Sequence, residues 1–241
     1  MLDVLWLAAT WLLAAVYVRG AAWSSLLSPL EIGVASVAGG TAAAVWAVFL
    51  VSSLFGSLSV FSVLVATCLL AAAAYARYTA APRPLPRLAL ARSQWVGCAL
   101  LGACLLPTWR LYSTRMLPED EYGNIIAAGS CYGDLPIHMN IAQSFLIGAN
   151  INFSWSNMHS TIFAGAPLTY PFLPDFHAAI FVVLGGTLRR AFLWTGVGMV
   201  LALFAAIYSL ALRMSKSPAA GLIAVVLTVC AGDLLMRSAR E

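Results

Sequence analysis

From Leu30 to Phe55 the chain runs through 26 residues with one charged side chain, Glu31, near its start. A segment that long and that apolar has few homes. In hydrocarbon every backbone N–H and C=O must find its partner inside the protein, so such a run folds as a helix. About 20 apolar residues are enough to cross the bilayer core. Glu31 falls in the first turn, where the positive end of the helix dipole tolerates an acid.

The same reading extends along the chain. Leu2–Val18, Ser57–Ala76, Ser93–Trp109, Pro171–Leu188, Ala191–Leu212 and Pro218–Met236 are further apolar runs. Together they predict about seven spans in an all-α, polytopic transmembrane helix bundle. Leu2–Val18 lacks the basic start of a signal peptide and reads as a retained helix. Gly39, Gly40 and many alanines let helices approach closely. Composition agrees: 62% of residues are hydrophobic, 9% are charged and mean hydropathy is +0.90. A soluble domain carries roughly 25% charged residues. The expected localisation is therefore multi-pass and integral, with membrane lipid as a partner, in the endoplasmic reticulum or a plasma or inner membrane. No basic cluster alternates with aromatics, which leaves nucleic acid without support. The five cysteines match neither a zinc site nor a disulfide framework. Cys131, in a polar loop, reads as filler or as a reactive thiol.

A polar segment, 110–170, separates four expected helices (1–109) from three (171–241). Basic residues orient the bundle, since cytoplasmic loops collect them. With the polar segment outside, Arg19, Arg77, Arg83, Arg87, Arg92, Arg189, Arg190, Arg237 and Arg240 lie on the cytoplasmic side. Arg110, Arg115, Arg213 and Lys216 lie on the other. That is nine against four, and it predicts a large non-cytoplasmic loop. Asn152-Phe-Ser154 would be a glycosylation sequon there. The chain ends soon after the seventh run, where Asp233 and Arg237 stand one helical turn apart. A second half or a partner subunit is expected.

Within the polar segment, Asp134-Leu-Pro-Ile-His138 opens a pattern closed by Gly148. An acid at the cap, proline in the first turn and glycine past the end bracket an amphipathic helix of about three turns. At 3.6 residues per turn Asp134, His138, Ile141 and Phe145 share a stripe, and Leu135, Met139, Ala142 and Leu146 form a second. Such a helix suits the membrane interface. Asp134 reads as an N-cap and His138 as a satisfied interfacial histidine. Alternatively the two bind a divalent cation, or hold a phosphate and abstract a proton. The acidic triplet Glu119-Asp120-Glu121 reads as a solvated charge run or as ligands for that cation. The stretch 150–165, with Trp155 and His159, is rich in hydroxyls, amides and rings. That composition suits sugars as well as an ordinary loop. Tyr170-Pro-Phe-Leu-Pro-Asp-Phe176 places Asp175 in the first turn of the next helix. His177, two residues on, points elsewhere.

Gly133-Asp-Leu-Pro-Ile-His138, Ser144-Phe-Leu-Ile-Gly148, Ala164-Gly165 and Leu168-Thr-Tyr-Pro-Phe-Leu-Pro-Asp-Phe176 resemble a first-loop signature of bacterial and algal membrane proteins. Those proteins are similar to the GT-C superfamily of glycosyltransferases, and the resemblance covers roughly 118–185. It implies a polyprenyl-phosphate sugar as donor and an essential acid in a non-cytoplasmic loop. Asp134 would then be the general base or metal-binding carboxylate, and His138 a contact to the donor phosphate. Asp175 would support them, and Tyr170, Trp155 and His159 would meet substrate. The pattern departs from that family in having four spans before the acid. The other readings are a transporter or channel, against which the charges at span ends argue, and a non-catalytic subunit or fragment.

Overall fold

The computed structural model describes residues 1–80, 91–126 and 133–238. Cys131, Arg83, Arg87 and Arg240 lie outside them, as do the side chains of the Asp233–Arg237 pair. Eight helical rods make up the described chain: α1 (Leu2–Gly20), α2 (Pro29–Phe55), α3 (Val60–Ala80), α4 (Arg92–Leu111), α5 (Asp134–Ser144), α6 (Leu173–Val183), α7 (Leu188–Ser215) and α8 (Pro218–Ser238). Among the described residues there is no strand, only the isolated bridges Glu119–Ile125 and His159–Pro167.

Among the described residues four rods, α1, α2, α3 and α7, are long and apolar enough to cross a membrane. The sequence predicts seven. Ser93–Trp109 folds as α4 and Pro218–Met236 lies within α8, but neither is among the four. The run Pro171–Leu188 departs furthest, because only Leu173–Val183 is helical. The break is at Gly185, in the left-handed region at φ 85°, followed by Gly186. A Cβ on Gly186 would stand 2.7 Å from an Asp3 carboxylate oxygen. Eleven residues at 1.5 Å each span about 16 Å, half a bilayer core. This helix is instead buried within the protein: Phe176, Ala179, Ile180 and Phe181 are sealed from solvent.

Local chemistry starts and joins the rods. Ser28 and Glu31 form a reciprocal cap at the head of α2, with Pro29 in the first turn. Glu31 also grips Arg213 near the end of α7, at 2.6 and 2.8 Å. A π-helical turn, Ala35–Gly39, interrupts α2. Of the two glycines that the sequence assigns to close packing, Gly40 earns it: a Cβ there would lie 2.6 Å from the Ala14 methyl of α1. Gly39 faces open space. Polar clasps tie the rods sideways, Trp6 to Thr67 at 3.0 Å, Trp11 to Thr41 at 2.9 Å and Ser52 to Ser62 at 2.8 Å.

The polar segment is docked, not draped. Phe145 and Phe153 from it meet Phe49 of α2 and Phe176 of α6, with ring centroids 5.0 to 5.7 Å apart. Ile141, Ala142 and Phe145 are buried, as the helical stripes predict. Such aromatic clusters add about 0.5–1.5 kcal/mol per pair beyond the area they bury.

The ends of the bundle sort differently from the basic-residue count. Arg189 donates to the carbonyls of Leu117 and Ser113 and lies 3.5 Å from Glu119. Arg190 reaches buried Asp3 at 3.1 Å, beside the chain's own amino group. Both arginines therefore stand at the polar-segment end. Arg213 and Lys216 stand at the opposite end, with Glu31 and the start of α4. Because α6 does not cross the bundle, α7 runs opposite to the predicted direction. Among the described side chains the tally becomes Arg19, Arg77, Arg92, Arg213 and Lys216 against Arg110, Arg115, Arg189 and Arg190, five to four.

Candidate functional site

A cavity of about 690 Å³ opens between α2, the π-turn Tyr112–Met116, α5, α6 and the first half of α7. Its walls are mainly apolar, including Val45, Leu135, Leu173, Phe192 and Met199. Asp134, His138, His177 and Tyr112 supply its ionisable groups, and no lysine or arginine is among its described lining residues.

Asp134 is the first residue of α5 and is exposed. The predicted cap does not form: Gly133 holds that position and no side chain bonds the first turn. Its carboxylate is thus left for other partners at the cavity mouth. His138, one turn on, is half-buried and does not pair with Asp134. Its Nδ1 stands 2.8 Å from Oδ1 of Asp175, across the gap to α6. Asp175 is fully buried, and its second oxygen has no partner among the described residues. Burial pushes its carboxyl up to about 6, against the pull of His138 in the other direction.

His177 does point away from Asp175, as its spacing predicts, but toward the cavity wall and so into the site. It is 5% exposed, wedged between the rings of Trp6 and Phe181, and its Nε2 lacks a partner among the described residues. Burial pulls this histidine down to about 4, so it is neutral at physiological pH. The available signal was a lone histidine on an apolar helix, which is usually core. Trp46 of α2, also in the lining, carried no signal beyond an apolar run.

The other predicted contacts are distributed around this centre. Tyr170 sets its ring edge to His138, with centroids 5.7 Å apart. Trp155 leans on Trp46 at 6.0 Å and on Phe49 at 5.6 Å, so it flanks the cavity while staying exposed. His159 does not join them. Its backbone is clasped on both sides by the Asn150 amide, at 2.7 and 3.0 Å, and its residue is exposed away from the lining.

Two acids of the triplet are engaged elsewhere. Glu119 pairs with Arg189, and Asp120 caps its own turn by accepting from the Tyr122 and Asn124 backbones and the Asn124 side chain. The Asn124 bonds hold the Asp120 carboxyl below its ordinary value. Glu121 is exposed. Among the described residues no three His, Cys, Asp or Glu side chains gather as a metal site. Asp134 and the triplet form no such group.

Among the described residues, fold and site together define an all-helical protein with four membrane-length helices and an apolar cavity headed by a histidine–carboxylate pair. No protein-family model matches the chain, and comparison with curated proteins and with solved structures finds no similar one.

Proposed function

We propose that this chain is a multi-pass membrane enzyme that transfers a sugar from a polyprenyl-phosphate donor to an acceptor hydroxyl. The observation that carries it is the His138–Asp175 contact of 2.8 Å at the wall of an apolar cavity. An ionised Asp175 accepts from Nδ1–H and fixes the tautomer, leaving the Nε2 lone pair for substrate. That nitrogen takes the acceptor's proton as the acceptor oxygen bonds the anomeric carbon. The bond from that carbon to the phosphate oxygen breaks, and polyprenyl phosphate leaves with the electron pair. Asp134, at the mouth, orients sugar hydroxyls. Apolar walls hold the first prenyl units, and Tyr170 and Trp155 offer ring faces to the sugar.

Sugar transfer by His138→Ala should fall about 10²–10⁴-fold, the usual range for a lost general base. Asp134→Asn should weaken transfer while the protein still inserts. An unchanged rate in His138→Ala removes the histidine from the mechanism.

The lack of lysine and arginine among the described lining residues favours a second reading, a non-catalytic subunit that holds a neutral amphiphile. A phosphate wants donors or cations beside it. Saturable binding of a prenyl alcohol with no turnover of any donor would select that reading.

A further inference from the structure

Tyr112 and Gly196 share one wall of the cavity, and both line it. Tyr112 opens the π-helical turn after α4, where the Leu117 N–H donates back to the Tyr112 carbonyl at 2.9 Å. Such turns recur at functional sites. Gly196 lies on α7, about 12 Å from its start at Leu188. A Cβ on Gly196 would overlap Cε1 of Tyr112 and stand 3.0 Å from two more of its ring carbons. The ring therefore rests on the bare α7 backbone, in space that any side chain would fill.

Two braces hold it there. Arg189 of α7 donates to the carbonyls of Ser113 and Leu117, at 3.0 and 2.9 Å, and so pins the π-turn to α7. Trp109 of α4 meets Trp194 of α7 edge to face, with centroids 5.0 Å apart. Helices packed and clasped in this way yield little. A methyl group on Gly196 would turn the ring into the cavity, where the space is open. The contact also stands partway down. On α7 the lining descends from Phe192 through Gly196 to Met199, and on α2 from Trp46 to Thr41. The chain of an amphiphile headed at His138 passes this point.

We propose that Tyr112, seated on Gly196, sets the width of the cavity so that it admits a methyl-branched, prenyl chain. Tyr112 and Gly196 are then specificity-determining residues. The inference rests on the cavity holding an apolar chain, which the enzyme and the non-catalytic binder have in common.

The test uses the full chain in detergent and two alcohols of equal carbon number, branched geraniol and straight decanol, in equilibrium dialysis. Their affinities are compared as a ratio, in which partition into the micelle largely cancels. Gly196→Ala should lower the geraniol-to-decanol ratio about tenfold, the scale on which an apolar pocket feels a single carbon. Adding Tyr112→Ala to that variant should recover the ratio, since no ring is left to turn inward. Tyr112→Ala alone, which adds bulk nowhere, should raise it. An unchanged ratio in Gly196→Ala, or a fall that persists in the double variant, overturns the proposal. If Gly196→Ala fails to fold, an unmoved ratio in Tyr112→Ala overturns it equally. Saturable binding with no change of ratio sinks the width gauge alone, whereas no saturable binding of either alcohol sinks the apolar-chain reading with it.

Discussion

At the scale of single residues, Asp175 and His177 pull stability in opposite directions over one pH window. The Asp175 carboxyl is raised by burial from 3.8 to about 6, so the folded state holds more protons than the unfolded one between those values. Its contribution is present in acid and lost as pH rises through the window. His177 is lowered by burial from 6.5 to about 4, so the unfolded state holds more protons there. Its contribution is lost as pH falls. The melting midpoint in detergent, scanned from pH 4 to 6.5, should rise with pH more steeply in Asp175→Asn than in the native chain. In His177→Gln it should fall with pH relative to the native chain. Parallel curves for all three proteins would show that neither group titrates as described. The histidine–acid chemistry was legible in part. The sequence singles out Asp134, His138 and Asp175, but pairs the first two through helical spacing. Spacing along one helix says nothing of a carboxylate 37 residues away on another.

At the scale of elements, close approach decides which substitutions matter. Gly40 lets α2 meet α1, and Gly40→Val should destabilise by about 1–3 kcal/mol through overpacking, read as a lower denaturation midpoint. Gly39→Ala, one residue away with nothing within 4 Å, should leave the midpoint unchanged or raised. The sequence treats the two glycines alike because both sit in the same apolar run. Phe176, sealed among Phe49, Phe145 and Phe153, fixes α6 against the polar segment. Its replacement by alanine should cost about 3–5 kcal/mol in the same measurement. The helices themselves were plain from apolar run length, and α5 from its stripes. The length of α6 was not, because hydropathy carries through Gly185 and Gly186 while the backbone turns there.

At the scale of the molecule, one short helix reverses the course of the chain after it. With α6 crossing, residues 122 and 187 would face opposite sides of a membrane; with α6 buried at one end they share a side. Single cysteines at Tyr122, Thr187 and Met214, in a chain freed of its native five, separate the two arrangements. An impermeant maleimide should label the first two from one face and the third from the other. Labelling of 122 and 187 from opposite faces would restore the predicted seven-span order. The basic-residue rule cannot arbitrate here, since it depends on the crossings it is used to orient.

Sequence alone determined that the chain is helical and largely apolar, and it singled out His138 with nearby acids as its most reactive-looking feature. Periodicity and run length act over one or two turns, and those properties are local. Tertiary structure decided which acid the imidazole meets, that His177 joins the cavity, and which basic residues share an end. Each of these depends on faces brought together by aromatic packing between segments far apart in the chain, and no local pattern encodes that meeting.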